Sequence, residues 1–305
     1  MEPIEQTPSE TIDLAPVVSD KEIQFYIDNG YLVVEGLMTG EELDEIKADT
    51  IKITRGGYET ESIKPVDDSI SDEDTLKNIL CIHQPHHVSP VMEKFAKHEK
   101  ICGILSQITA AHLPHWDGSV KCMQSMLFIK PPEFQGQAWH QDEIYIGTRD
   151  RSLVGAWIAI DDATIENGCL MVLPGSHKSG YLYPQRDHEN PDEFDFAPES
   201  YGFDESEEIP VEVKAGALVF FNGYLLHRSR KNLSNDYRKV LVNHYCNAWS
   251  LIPANPKEGE SPATADRRSV LHVAGTDPYA WKGYDVSNKD VYLRHCKAID
   301  KKTTD

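Results

Sequence analysis

Apolar positions recur along this chain in two rhythms. Up to about residue 110 they return at helical spacing, and from about residue 120 they come in short runs of strand length. Ser19-Asp20-Lys21-Glu22 reads as a capping box opening a short helix with Ile23, Tyr26 and Ile27 on one face, closed by Gly30. A strand, Tyr31-Leu32-Val33-Val34, follows. Thr39-Gly40-Glu41-Glu42 is a second capping box, and Leu43, Ile46, Thr50 and Ile53 keep helical spacing until Gly56-Gly57. A further helix is predicted from Ser89-Pro90, with Val91, Phe95, Ile101, Ile104, Leu105 and Ile108 packing on a sheet. The later runs, 120–130, 153–163, 169–173, 211–213, 217–221 and 238–246, are separated by Pro131-Pro132, Asn167-Gly168, Pro174-Gly175, Ala215-Gly216 and Asn222-Gly223. Short strands divided by turn residues predict a mainly β jelly roll with flanking helices, rather than alternating helices and strands.

This organisation predicts a flexible arm over 1–18, rich in proline, acids and hydroxyls, and one domain over 19–305. Within it the expected parts are helical support over about 19–110, a jelly-roll core over about 120–250 and an extension over 251–305, linker-like from Asn255 to Pro262. In that extension Asp277-Pro278-Tyr279-Ala280-Trp281-Lys282-Gly283 reads as surface packing. The roughly thirty residues between Gly180 and Ile209 carry ten acids from Asp187 to Glu208, as a solvated loop or a lid would.

Composition narrows the partners. The formal charge of −20, from 50 acidic against 30 basic residues, opposes nucleic acid, anionic lipid and polyphosphate ligands and leaves small molecules. Hydrophobic residues make up 40% of the chain, and no apolar run approaches the length of a membrane span. The first residues lack a basic, apolar leader, and the six cysteines form no C-x-x-C pair, so a cytoplasmic protein with reduced, buried thiols is expected.

The chemistry lies in Trp139-His140-Gln141-Asp142. His140 and Asp142, two apart on a strand, point to one face and can grip one metal ion. His227, 87 residues downstream of His140 in Leu225-Leu226-His227-Arg228-Ser229, supplies a third ligand. Two histidines and one carboxylate on one side of an ion form the facial triad of non-haem Fe(II) oxygenases, which leaves positions open for a co-substrate and O2. The usual co-substrate, 2-oxoglutarate, needs a cation for its far carboxylate, and Arg238 is the candidate. It shares a strand face with Val240 and Val242, and its planar fork grips a carboxylate bidentately.

Three other motifs carry weaker signals. His115-Trp116-Asp117 repeats H-x-D, but between Pro114 and Gly118 it lies in a turn that would not hold both side chains on one pleated face. Cys81-Ile82-His83-Gln84-Pro85-His86-His87 lacks ligand spacing and reads as a loop at the pocket rim. Pro174-Gly175-Ser176-His177-Lys178 is a turn, not a phosphate loop, and Lys178 is assigned no chemistry.

Together with Gln124-Ser125-Met126-Leu127-Phe128-Ile129-Lys130-Pro131-Pro132 and Asn167-Gly168-Cys169-Leu170, these motifs resemble the phytanoyl-CoA dioxygenase family in order and spacing over roughly residues 20–250. The resemblance implies a double-stranded β-helix (jelly roll, cupin-like) in which His140, Asp142 and His227 hold Fe(II). It also implies that Arg238 and Ser229 hold the distal carboxylate of 2-oxoglutarate, that Met126 and Trp157 line that site, and that Gln124 and Tyr145 face substrate. Related halogenases have a small residue at the carboxylate position, so Asp142 favours hydroxylation or a desaturation or epoxidation outcome. The activity implied is hydroxylation of an unactivated C–H bond using Fe(II), 2-oxoglutarate and O2, with release of succinate and CO2. The −20 field disfavours acyl-CoA and favours a small polar metabolite, cationic or zwitterionic. The alternatives are a non-catalytic small-ligand-binding jelly roll, or a zinc hydrolase on a cupin-like barrel, which has no need of Arg238.

Overall fold

The computed structural model of the chain describes residues 10–295. In chain order the elements are α1 (Asp20–Asn29), β1 (Tyr31–Val34), α2 (Gly40–Thr54), α3 (Asp72–Leu76), β2 (Ile79–His83), α4 (Pro90–Ala96), α5 (Glu99–Ile108), β3 (Val120–Lys130), β4 (Gln137–His140), β5 (Val154–Ala159), β6 (Leu170–Val172), β7 (Gln185–Arg186), β8 (Glu199–Ser200), β9 (Ile209–Val211), β10 (Leu218–Asn222), β11 (His227–Ser229), β12 (Arg238–Asn247), β13 (Leu271–Ala274) and β14 (Tyr292–His295).

Both capping boxes form as read. Ser19 accepts from the Glu22 amide and Thr39 from the Glu42 amide, with each glutamate reaching back to the cap. Gly30 closes α1 at φ 81°, where a Cβ would come within 2.4 Å of His177 Nδ1. His177 Nε2 donates to Ile27 O at 3.0 Å, so the Pro174–Lys178 turn docks α1 onto the barrel. The helix expected from Ser89 is two, α4 and α5. Its apolar rhythm slips between Phe95 and Ile101, six residues that make no whole number of turns, and His98 leaves the helix at ψ 123°.

The large sheet runs β1-β10-β5-β12-β3-β2-β14, with β13 also on β3, and the small sheet runs β4-β11-β6-β9. Every strand pair is antiparallel, so the architecture is the expected jelly roll. Both faces of the large sheet are covered, and for that reason β5 and β10 read as unbroken apolar runs rather than alternations. One face packs Ile158, Phe220, Leu241 and Leu127 against Ile46, Ile53, Phe95, Ile104 and Leu105 of the helices. The other packs Val219, Val240 and Val242 against Leu170, Val172 and Val211 of the small sheet. Each such side chain contributes roughly 1.5–3 kcal/mol.

Three expectations change. Residues 1–9 of the predicted arm lie outside the described residues, but Ile12 bridges Gly275 and the amides of Val17 and Val18 donate to Gln107 Oε1. Cys81–His83 is not a loop but part of β2, paired with β3. Within the extension Asp277, read as surface packing, is buried in an ion pair with Arg268 at 2.6 Å, and β13 and β14 join the large sheet.

Candidate metal centre and its cavity

β4 ends on His140, β11 begins on His227, and the two residues stand directly opposite in the ladder. Asp142 is not on that strand, as the sequence reading supposed. It opens a 3-10 turn, and Gln141 between them stays extended (φ −127°, ψ 126°), which preserves the alternation that turns both side chains the same way. His140 Nδ1 donates to Ala138 O at 2.8 Å and His227 Nδ1 to Leu225 O at 2.9 Å, so each ring presents its Nε2 lone pair. Both Nε2 atoms approach Asp142 Oδ1, at 3.6 and 3.7 Å, and the three ligand atoms lie within 4.8 Å of one another.

The electrostatics suit a cation. Burial, with His227 beside it, pushes His140 down to about 3, which keeps the imidazole neutral. Burial alone would raise Asp142, but His227, His244 and His140 hold it below the usual carboxylate range. His244 donates Nε2–H to Asp142 Oδ2 at 3.0 Å, which leaves Oδ1 for an ion. Two imidazoles and one carboxylate on one side of a point fit a first-row divalent metal such as Fe(II).

A second set of charges stands on the large sheet. Arg238, Val240, Val242 and His244 of β12 face Lys130, Phe128, Met126 and Gln124 of β3 in register, with Trp157 of β5 opposite Val242. Arg238 Nη1 donates to Gly168 O at 2.8 Å and its guanidinium carbon lies 5.6 Å from the Trp157 ring, while its Nε is buried without a partner. Lys130 Nζ donates to Ser229 Oγ at 3.4 Å and to Arg230 O. Burial lowers Arg238 to about 10, and burial together with Arg238 lowers Lys130 well below its ordinary value. Among the described residues no carboxylate comes within ion-pair distance of either. A buried guanidinium and a buried amine so arranged suit an anionic ligand.

Both sets open on one cavity of about 520 Å³. His140, Asp142, His227, Arg238, Ser229, Met126, Trp157, Gln124 and Tyr145 all line it. Gln124 Oε1 is buried without a partner, whereas Tyr145 is 49% exposed and its hydroxyl accepts from Gln185 at 3.0 Å. Asp195–Pro198, from the acidic loop, form part of the wall, so that stretch is more than a solvated connection.

Sequence reasoning missed Lys130, His244, Tyr292 and Arg294, and placed His83 at the pocket rim but in a loop; all five line the cavity. Lys130 and His244 were within reach, because continuing the alternation from Met126 and Arg238 puts both on the pocket face. The other three depend on β2 and β14 pairing, which no local signal announces. His115 and Asp117 are exposed in a turn and take no part.

The family model described as "Phytanoyl-CoA dioxygenase (PhyH)" matches residues 26–240. The rice protein "Phytanoyl-CoA dioxygenase 1" from Oryza sativa subsp. japonica is 29% identical over 257 residues, 74% of this chain and 88% of the relative. Among solved structures, the apo form of the non-heme monooxygenase ThoJ has a TM-score of 0.60 at 18% identity, covering 90% of this chain and 88% of that one. The epimerase SnoN, solved with Fe3+, alpha ketoglutarate and nogalamycin RO, has a TM-score of 0.58 at 16% identity, covering 90% and 97%. Likenesses at such identity establish the fold.

Proposed function

Because this chain belongs to the phytanoyl-CoA dioxygenase family, and is thereby a 2-oxoglutarate-dependent non-haem iron oxygenase, we propose that it hydroxylates an unactivated C–H bond of a small polar metabolite, cationic or zwitterionic, with release of succinate and CO2. The observation that carries this reading is the pairing, in one cavity, of a buried two-histidine, one-carboxylate cluster with a buried guanidinium and a buried amine that, among the described residues, have no carboxylate within ion-pair distance.

His140 Nε2, His227 Nε2 and Asp142 Oδ1 would hold Fe(II), and His244 fixes the carboxylate's other oxygen. When bound, the iron supplies the activation of O2 that couples decarboxylation of 2-oxoglutarate to oxidation of the substrate. Arg238, Lys130 and Ser229 receive the distal carboxylate of 2-oxoglutarate, with Trp157, Met126 and Phe128 as the walls that exclude water from it. Gln124 and Tyr145 face the substrate, and the Asp195–Pro198 segment covers it. A cavity of about 520 Å³ suits a small metabolite, and the −20 charge opposes a polyphosphate carrier. Residues 19–305 are read as one dioxygenase domain, because β13 and β14 pair with β3 and β2 of the core. Among the described residues five cysteines are free and buried, which suits a reducing, cytoplasmic setting.

The test is anaerobic addition of Fe(II) and 2-oxoglutarate to apo-protein. A weak visible band near roughly 500 nm is expected for a keto acid chelated to facial-triad iron, weakened in Asp142→Ala and Arg238→Ala. Iron binding without that band would sink the 2-oxoglutarate reading.

A further inference from the structure

The cavity has a second end, bounded by β14 and the acidic loop. Strand register runs outward across the sheet in rows, Trp157, Val242, Met126, His83 and Tyr292 in one and Val240, Phe128, Cys81 and Arg294 in the next, and all of these but Val240 and Cys81 line the cavity. β14 lies two strands beyond β3, so Arg294 stands about 10 Å from Phe128 along the floor. Above it hangs the acidic loop. Of that loop's ten acids only Asp195 lines the cavity, and its Oδ2 accepts from Arg294 Nη2 at 3.0 Å. Glu199 pairs with Arg186, and Glu205 and Glu208 pair with Arg228, away from this end.

Arg294 and Asp195 are both largely covered, their side chains 25% and 14% exposed. The Asp195 backbone is pinned to Gly136 O at 2.7 Å, and its Oδ1 accepts from the Ala197 amide at 2.9 Å. Arg294 lies 4.9 Å over the Phe196 ring. His83 stacks on Tyr292 at 4.3 Å with planes 9° apart, and burial with Arg294 nearby pushes it down to about 4, so it brings no third charge. The substrate end therefore carries one cation and one anion, in contact and facing the cavity.

We propose that this pair is the substrate's receptor, and that the substrate is a zwitterion of amino-acid type whose carboxylate takes Arg294 and whose ammonium takes Asp195. The proposal rests on the oxygenase reading above and names its substrate class. Complementarity selects among ligands. A simple anion on Arg294 would strand Asp195, and a simple cation on Asp195 would strand Arg294, each leaving a largely covered charge unpaired. A zwitterion replaces both lost contacts, and the apolar floor between Phe128 and Leu80 accepts the carbon skeleton between them and the iron. Its ionic head then closes the loop over the site through Asp195.

The experiment presents the holoenzyme (Fe(II), 2-oxoglutarate and O2) with matched triplets: free amino acids with varied aliphatic side chains, their carboxamides, and their N-acetyl derivatives. Succinate release above the rate without added compound is the readout. The free amino acids of at least one triplet should stimulate at least about tenfold more than either derivative. In Arg294→Gln the preference over the carboxamide should vanish, and in Asp195→Asn the preference over the N-acetyl form should vanish. A loss in each variant of only its own discrimination cannot come from misfolding. Equal stimulation by all three forms, stimulation confined to a singly charged form, or none by any form overturns the zwitterion assignment. Failure of the oxygenase reading is read separately, as absence of the iron and 2-oxoglutarate band in the same preparation.

Discussion

At the scale of single residues, the site is built from charges placed where solvent cannot neutralise them, and each has a measurable cost. Lys130 and Arg238 are cross-strand neighbours with like charge, 2% and 4% exposed. Replacing Lys130 by Met keeps the aliphatic stem and removes a buried cation whose ionisation burial opposes. Lys130→Met is expected to leave apo-protein at least as stable as wild type in denaturant titrations, while raising KM for 2-oxoglutarate by about tenfold or more. A drop in stability with unchanged KM would make Lys130 a structural residue. Glu143 gives a pH prediction. Burial, with Asp150 and Asp142 nearby, pushes its carboxyl up to about 7, although Thr148 bonds its Oε1. The native state therefore holds a proton that the unfolded chain releases near 4.5, and stability falls as pH rises from about 4.5 to 7. Glu143→Gln should remove that fall, stabilising apo-protein above pH 7 by at most about 3 kcal/mol, with no gain below pH 4. A gain independent of pH would contradict the assignment.

At the scale of elements, the acidic loop is fastened to the two strands that carry the histidines of the metal cluster. Glu208 grips Arg228, which follows His227, and Glu205 accepts from the indole of Trp139, which precedes His140, at 2.8 Å. Arg228 in turn lies 4.5 Å over Trp139. Glu208→Gln should loosen this fastening, so that limited proteolysis within 187–208 speeds up by roughly tenfold while the global unfolding midpoint moves little. Equal slowing or no change would mean that the loop is held elsewhere. What the sequence disclosed at this scale follows from where each signal is stored. Capping boxes, the Gly30 terminus and the long strands were legible because each is decided by residues within a few positions of one another. β4 and β11, four and three residues long, carry no periodicity of their own, and only the ligand chemistry of His140, Asp142 and His227 marked them. β2 and β14 were missed because their pairing is decided more than two hundred residues apart, as in His83 with Tyr292. That is why the metal and 2-oxoglutarate ends of the cavity could be read from sequence, whereas the Arg294 end could not.

At the scale of the whole molecule, the −20 charge and the cationic pocket make opposite demands on the same co-substrate. 2-Oxoglutarate is a dianion at neutral pH. Approaching from bulk it meets the long-range field of an acidic protein, and only within a few ångströms does it meet Arg238 and Lys130. The Debye length sorts the two: at about 0.15 M salt it is roughly 8 Å, so the surface charges are screened while contacts inside a buried site are screened much less. Raising salt from about 0.01 to 0.15 M should therefore speed association of 2-oxoglutarate with the Fe(II) protein, because it removes repulsion felt on the way in. Dissociation, set by desolvated contacts at Arg238, Lys130 and the metal, should change less, so affinity improves with salt. Anaerobic stopped-flow of the visible band against salt concentration measures both rates. An association rate that falls with salt would mean that the two cations project a positive potential through the cavity mouth strong enough to outweigh the acidic surface. Arg294 also lines the cavity but is already paired with Asp195, which keeps that potential small, and Asp195→Asn should then lower the association rate's gain with salt.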